Sequence, residues 1–354
     1  MTSTPNEHSP TANSSNSVTW RSPSNIAIVK YWGKYGEQLP SNPSISLTLS
    51  GAHTETTIAY EQGRGQVDFY FDGERNEAFA KRVRDYVKRV SRELPSLEAM
   101  DLRIESGNSF PHSAGIASSA SAMSALALCL NSVAASLDGS IHQLSDVKQV
   151  SHLARLGSGS AARSVSGPVM LWGETDALDG SSNEYALKVD DVHPVFAGYR
   201  DSILIVSDEE KQVKSTAGHA LMKGHPYAAQ RFETARQRIA VLLEILQSGD
   251  VHAFGRMAEK EAMDLHAMMM TSTPPYLLMR PGTISIIEKL HAFRRATGLP
   301  AYMTLDAGPN VHLLYPDDIK EEVHDWIDNE LLKFCAGGQV LHDAVGKGPK
   351  FISS

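Results

Sequence analysis

The sequence predicts an α+β fold of two domains with a cleft between them, on three observations. Strand-like and helical runs are intermixed in both halves, with no repeat and no long linker. A loop of small residues, "PHSAGIASSASA" (111–122), runs directly into a long apolar helical stretch. The chain has 354 residues, enough for two domains.

The elements follow from local pattern. Strands are expected over 25–31, 44–50, 53–60, 66–71 and 100–106. Phe79, Val83, Tyr86, Val87, Val90 and Leu94 recur at helical spacing among Lys and Arg. Residues 117–136 lack Gly and Pro and read as a buried helix, and a short helix over 145–155 ends at "LGSGS". "VSGPVMLW" returns to strand. In the second half, 201–207 reads as a core strand followed by a polar loop to about 224. Helices are expected over 227–247, 251–269 and 283–296, the last stopped by Gly298. Residues 302–306, 310–315 and 339–345 read as strands, and 317–334 as an amphipathic helix through Ile319, Val323, Ile327 and Leu331.

Composition narrows the classes. Apolar residues are 42% and charged residues 21%, as in globular domains. A formal net charge of −8 argues against a general nucleic-acid binder. No apolar stretch approaches the ~18 residues of a membrane span. Cys129 and Cys335 lie far apart in apolar contexts and read as reduced core residues of a cytoplasmic protein. Residues 1–19 have neither a basic nor an apolar leader segment and read as a disordered tail, not a secretory signal. An N-terminal domain over 20–185 and a C-terminal domain over 186–354 follow.

Four segments carry candidate chemistry. In "SNIAIVKYWGK" (24–34) an apolar strand ends in Lys30, and Lys34 follows a Trp32–Gly33 turn. A lysine at a strand end commonly snorkels to solvent; the alternative is a fixed cation in a cleft. In the 111–122 segment, exposed N–H groups at a helix start, with serine hydroxyls, suit an anion. Gly115 permits a tight turn, Ala117 a close backbone approach, and Ser118, Ser119 and Ser121 offer hydroxyls to phosphate or Mg²⁺. "GSGSAARS" (157–164) mimics a dinucleotide motif but follows a helix, which excludes that reading. It presents Ser158, Ser160 and Arg163, whose fork can grip a carboxylate. "TLDAGPNVHLL" (304–314) places Asp306 at a strand end, as turn-former or general base. No Walker A motif, zinc-ligand spacing or serine-hydrolase elbow occurs, and "LHAMMM" (265–270) reads as core packing.

Together these segments, in this order, resemble the diphosphomevalonate decarboxylases over about residues 20–350. That family belongs to the superfamily of galactokinase, homoserine kinase, mevalonate kinase and phosphomevalonate kinase. The resemblance implies a small-molecule kinase fold with a ribosomal protein S5 domain 2-like N-terminal half and a ferredoxin-like C-terminal half. It implies ATP-dependent decarboxylation of (R)-5-diphosphomevalonate to isopentenyl diphosphate, by phosphorylation of the 3-hydroxyl and elimination, in isoprenoid biosynthesis. ATP and Mg²⁺ are the implied cofactors, and a homodimer the implied assembly, with no nucleic-acid or membrane partner. By the same resemblance Asp306, Lys30 and Arg163 are catalytic, and Tyr31, Lys34, Ser158, Gly159, Ser160 and Arg163 bind the substrate. Ser113, Gly115, Ala117, Ser118, Ser119 and Ser121 bind the ATP phosphates, with Ser119 near Mg²⁺. Adenine is expected near 66–110. The sequence departs from the family at Thr216, where many members carry an arginine that touches the diphosphate; Lys214, His219 and Lys223 are the nearby candidates for that charge. The same fold also serves phosphomevalonate decarboxylases, mevalonate 3-kinases and, without catalysis, an isoprenoid-intermediate binder.

Overall fold

A computed structural model describes residues 16–110, 116–139, 146–209 and 215–353. The first lobe contains β1 (Asn16–Val29), β2 (Lys34–Tyr35), β3 (Leu39–Pro40), β4 (Ser44–Gln62), β5 (Val67–Phe71) and β6 (Glu74–Arg75). It continues through α1 (Glu77–Val90), β7 (Met100–Asn108), α2 (Ser118–Leu137), α3 (Val147–Gly157), β8 (Val169–Trp172) and β9 (Ala186–Lys188). The second lobe contains β10 (Arg200–Leu204), α4 (Ser215–Ala220), α5 (Ala228–Ser248), α6 (Val251–Met270) and α7 (Pro281–Thr297). After these come β11 (Tyr302–Leu305), β12 (Val311–Tyr315), α8 (Lys320–Trp326), β13 (Val340–Ala344) and β14 (Lys350–Ser353).

The large sheet runs β14-β1-β4-β7-β5-β6, with β8 on β4 and β9 on β8; the second sheet runs β11-β12-β10-β13. Helix ends follow sequence chemistry. Asn76 and Asp250 cap α1 and α6 by accepting backbone N–H groups, and Gly298 closes α7 in the left-handed conformation at φ +73°.

β1 accounts for the doubly apolar run. Its first half, Val18 and Trp20, packs with α1, α2 and α3 in one core. Its second half, Ile26, Ile28 and Val29, packs in another core with Phe196, Ile203, Leu242 and Phe254. Between the halves, β1–β4 register shifts where β4 bulges at 49–52. Asp343 of β13 clasps that bulge, accepting N–H bonds from Ser50, Gly51 and Ala52 at 3.1, 2.7 and 2.7 Å. One strand thus threads both lobes and ends at their seam.

Several expectations are corrected. Asn16–Thr19, expected in the tail, open β1, because pairing with β4 satisfies their backbone; residues 1–15 lie outside the described residues. The lobes are not contiguous in sequence: β9, beyond the expected boundary at 186, pairs with β8, and β14 returns to pair with β1. The strands expected over 44–50 and 53–60 are one strand, and α4 interrupts the polar loop before 224. The helix expected over 317–334 breaks into α8, a π turn at Ile327–Leu331 and a 3₁₀ turn, although Ile319, Val323, Ile327 and Leu331 are all buried. Finally, α2 is by length and composition apolar enough to cross a membrane, contrary to expectation. Its most apolar window is 67% buried against the sheet and α3, which makes it a core helix.

Candidate active site

The site lies where β1 leaves the large sheet. At Lys30 the backbone N–H donates to Glu261 Oε2 on α6 at 2.8 Å, and the carbonyl accepts from Asn42 Nδ2 at 3.0 Å. The side chain is 2% exposed and its Nζ lies 2.9 Å from Asp306 Oδ1. Asp306 follows β11 and is 26% exposed, so the carboxylate carries the open side of the pair. The lysine at the strand end is therefore a buried, fixed cation and not a snorkelling one.

Arg163 sits in the 3₁₀ turn Gly159–Ser164 after α3. Its fork is spread over three neutral acceptors: Ser46 Oγ at 3.1 Å, Ser44 Oγ at 2.5 Å and Asn25 Oδ1 at 3.3 Å. Burial pulls its pKa down to about 10, opposed by the Asp306 carboxylate, which leaves it charged at neutral pH. Buried donors held by neutral groups leave the guanidinium's charge available to an anionic ligand.

Tyr31 is buried against Trp172, and its hydroxyl has no hydrogen-bond partner among the described residues; burial raises its pKa. A Cβ at Gly159 would lie 2.7 Å from that hydroxyl and 2.8 Å from Trp172, so only glycine fits there. Gly33, at φ +93°, turns the chain toward Lys34, whose Nζ donates to Gln38 Oε1 at 2.8 Å and whose pKa burial lowers.

Ser158 Oγ lies 3.4 Å from both Ser119 Oγ and Ser160 Oγ, which brings the two serine loops together at the start of α2. Ala117 stands before α2 at φ +43°, a left-handed position, and among the described residues no side chain caps the helix, whose first N–H groups suit an anion. Ser118 and Ser119 edge a cavity of about 220 Å³ lined by Phe69, Phe71, Phe79, Val83, Met123 and Leu126. It falls largely within the region expected to hold adenine. Ser121 is not brought to the site: its hydroxyl is fully buried and spans Thr54 Oγ1 at 2.7 Å and the Ser118 carbonyl at 3.2 Å. Ser113 and Gly115 lie outside the described residues.

His219 does not supply the charge expected of it near Thr216. Its ring lies tilted between Tyr31 and Trp32, with centroids at 4.3 and 4.6 Å, and its Nδ1 accepts the Gly33 N–H at 3.0 Å. Burial, with the Lys34 and Arg163 charges, drives its pKa down to about 3, so the imidazole is neutral. Lys223 is exposed; Lys214 and the Thr216 side chain lie outside the described residues. Among the described residues no cluster of three or more His, Cys, Asp or Glu is placed to hold a metal. The exposed Ser119 hydroxyl, 3.4 Å from Ser158 Oγ at the start of α2, is an oxygen donor of the kind Mg²⁺ takes.

Two lobes, a helix start beside an apolar cavity, and a buried lysine paired with a carboxylate at the seam define an enzyme-like site for an anionic small molecule. Residues 22–184 match the diphosphomevalonate decarboxylase-like N-terminal domain, and 202–350 the mevalonate 5-diphosphate decarboxylase C-terminal domain. The chain belongs to the diphosphomevalonate decarboxylase family. It is 32% identical to the diphosphomevalonate decarboxylase of Saccharomyces cerevisiae over 312 residues, covering 83% of this chain and 76% of that one. It is 30% identical to that of Homo sapiens over 324 residues, covering 86% and 78%. Among solved structures, mevalonate diphosphate decarboxylase from Staphylococcus aureus superposes at a TM-score of 0.83 with 29% identity, covering 95% of this chain and 98% of that one. A relative solved with MVAPP, AMPPCP and magnesium superposes at 0.82 with 28% identity, covering 96% and 99%.

Glu261, His266, Asn42, Ser44 and Ser46 were not singled out from sequence. His266 lies in the segment read as core packing, and it is indeed buried, but its Nε2 reaches the Asp306 carbonyl at 3.1 Å. No local pattern separates such a histidine from a core one.

Proposed function

We propose that the chain catalyses the ATP- and Mg²⁺-dependent decarboxylation of (R)-5-diphosphomevalonate to isopentenyl diphosphate, releasing ADP, phosphate and CO₂. The observation that carries this reading is the 2.9 Å Lys30–Asp306 pair at the seam, in the electrostatic field of Arg163. Asp306 accepts the proton of the tertiary 3-hydroxyl as that oxygen bonds to the γ-phosphorus of ATP and ADP departs. Lys30 offsets the charge that develops on the transferring group. The 3-phosphate then leaves with its C–O electron pair, and the electrons of the breaking carbon–carboxylate bond form the alkene. Arg163 holds the carboxylate until CO₂ departs. Mg²⁺, when bound, offsets charge on the nucleotide phosphates.

Tyr31, Lys34 and the turn Ser158–Ser160 bind the diphosphate handle, Ser118 and Ser119 the ATP phosphates, and the cavity beside α2 the adenine. With His219 neutral, Lys34 supplies a cation of the handle loop. We further propose a cytoplasmic location, in keeping with two buried free cysteines, and a homodimer, to be checked by light scattering.

The test is a coupled ADP-release assay with mevalonate, its 5-phosphate and its 5-diphosphate in parallel, with CO₂ detection. The diphosphate is expected to give ADP and CO₂ in equal amounts, and EDTA to abolish both. ADP with mevalonate alone, or no CO₂ from any of the three, overturns the reading.

A further inference from the structure

We propose that His266 is a positioning residue for Asp306, set on the same helix that holds Lys30, so that α6 fixes the spacing of the reacting pair. The inference rests on the roles given above to Lys30 and Asp306. Four contacts carry it. The Asp306 carbonyl accepts from His266 Nε2 at 3.1 Å and from the Gly308 N–H at 2.7 Å. A carbonyl only accepts, so the proton sits on Nε2. Five residues earlier on α6, Glu261 accepts the Lys30 N–H at 2.8 Å. The Lys30 carbonyl is held in turn by Asn42 at 3.0 Å.

Neither contact touches the reacting atoms. Each holds a backbone whose side chain does. Lys30 and Asp306 arrive from different sheets, β1 and β11, and neither sheet alone sets the distance between them. α6 packs against both strands, so a rigid helix with one hold on each peptide sets it instead.

The holds are themselves fixed. Glu261 is fully buried and gripped from α5 by Arg231, at 2.6 Å to Oε2 and 3.2 Å to Oε1, and by a short contact from Arg238. Arg238 also pairs with Asp264 at 2.6 Å. His266 is 1% exposed, and burial drives its pKa down to about 4, so its single ring proton stays on duty through neutral pH.

A histidine that merely fills the core would tolerate an isosteric apolar replacement without kinetic consequence. A positioning histidine loses kcat when the donor is lost and regains it when a donor is restored at the same reach. The experiment compares His266→Leu, His266→Gln and His266→Asn in the holoenzyme assay with ATP, Mg²⁺ and 5-diphosphomevalonate, alongside equilibrium binding of the substrate and thermal unfolding. Gln carries an N–H at about the reach of Nε2; Asn falls short. Leu and Asn are expected to lower kcat at least tenfold with substrate affinity within threefold of wild type, and Gln to restore kcat to within threefold. Equal kcat in Leu and wild type, or a Gln variant as slow as Leu, overturns the proposal. If the Leu variant does not fold, the Gln and Asn pair decides: a folded Asn variant as fast as Gln overturns it. A wild-type protein that releases no CO₂ would instead defeat the functional reading, and that is measured independently.

Discussion

Lys30 Nζ and Asp306 Oδ1 meet at 2.9 Å although 276 residues separate them, one at the end of β1 and the other at the end of β11. Lysine is buried almost completely, and the carboxylate is the part that a ligand can reach. Asp306→Asn keeps the size and an acceptor for Lys30 but removes the proposed base. Turnover is expected to fall by about 10²–10⁴-fold, the usual contribution of a general base, with the substrate still bound. Coupled ADP release with a thermal melt checks this; a folded variant turning over at the wild-type rate would sink the assignment.

Gly159 has no room for a side chain, since a Cβ would stand 2.7 Å from the Tyr31 hydroxyl and 2.8 Å from Trp172. Gly159→Ala must displace Tyr31 or the serine turn. KM for the substrate is expected to rise more than tenfold, while KM for ATP changes little. Steady-state kinetics with each substrate varied separately decides it, and an unchanged substrate KM would show that this turn does not touch the handle.

The cavity beside α2 gives the complementary result. Ala122 lines it with Met123 and Phe79. Ala122→Phe fills the space proposed for adenine, so KM for ATP is expected to rise at least tenfold with substrate binding intact. Binding of ATP at wild-type strength would place the adenine elsewhere.

Stability should fall on the acid side. The folded pKa values of His219 and His266 are depressed to about 3 and about 4, against 6.5 in their ordinary state. The unfolded chain takes up protons at these histidines below about pH 6.5, and the folded chain does not. Their contribution is therefore fully present above pH 6.5 and is lost as pH falls toward 4 and then 3. The slope is on the order of 1.4 kcal/mol per pH unit for each histidine. Urea midpoints at pH 7.5, 6 and 5 measure it, and His266→Gln should reduce the decline by about half. A midpoint flat from pH 7.5 to 5 would contradict the buried neutral rings.

Local chemistry was legible before any coordinates. The apolar period of α1, the glycine stop of α7 and the small-residue entry to α2 are properties of short windows, because helix and turn preferences act over a few residues. The same holds for Lys30, Arg163 and Asp306 as candidate groups, since each lies in a distinctive short motif. Ser121, by contrast, shares a motif with Ser119, yet it bonds Thr54 inside the core while Ser119 faces Ser158. Two serines two positions apart on a helix differ only in which way they point, and the neighbours decide that.

By itself, then, the sequence determined which residues could react and which segments would be helix or strand. Only the tertiary structure decided that Lys30 leaves its sheet to be held by Glu261, that Arg163 rests on neutral hydroxyls, that His219 is uncharged and that α6 holds the backbones of both Lys30 and Asp306. The reason is physical. Burial sets the charge state of His219, and hydrogen bonds between residues tens to hundreds apart set the geometry of the others. Both depend on which elements pack together, which no short window of sequence contains.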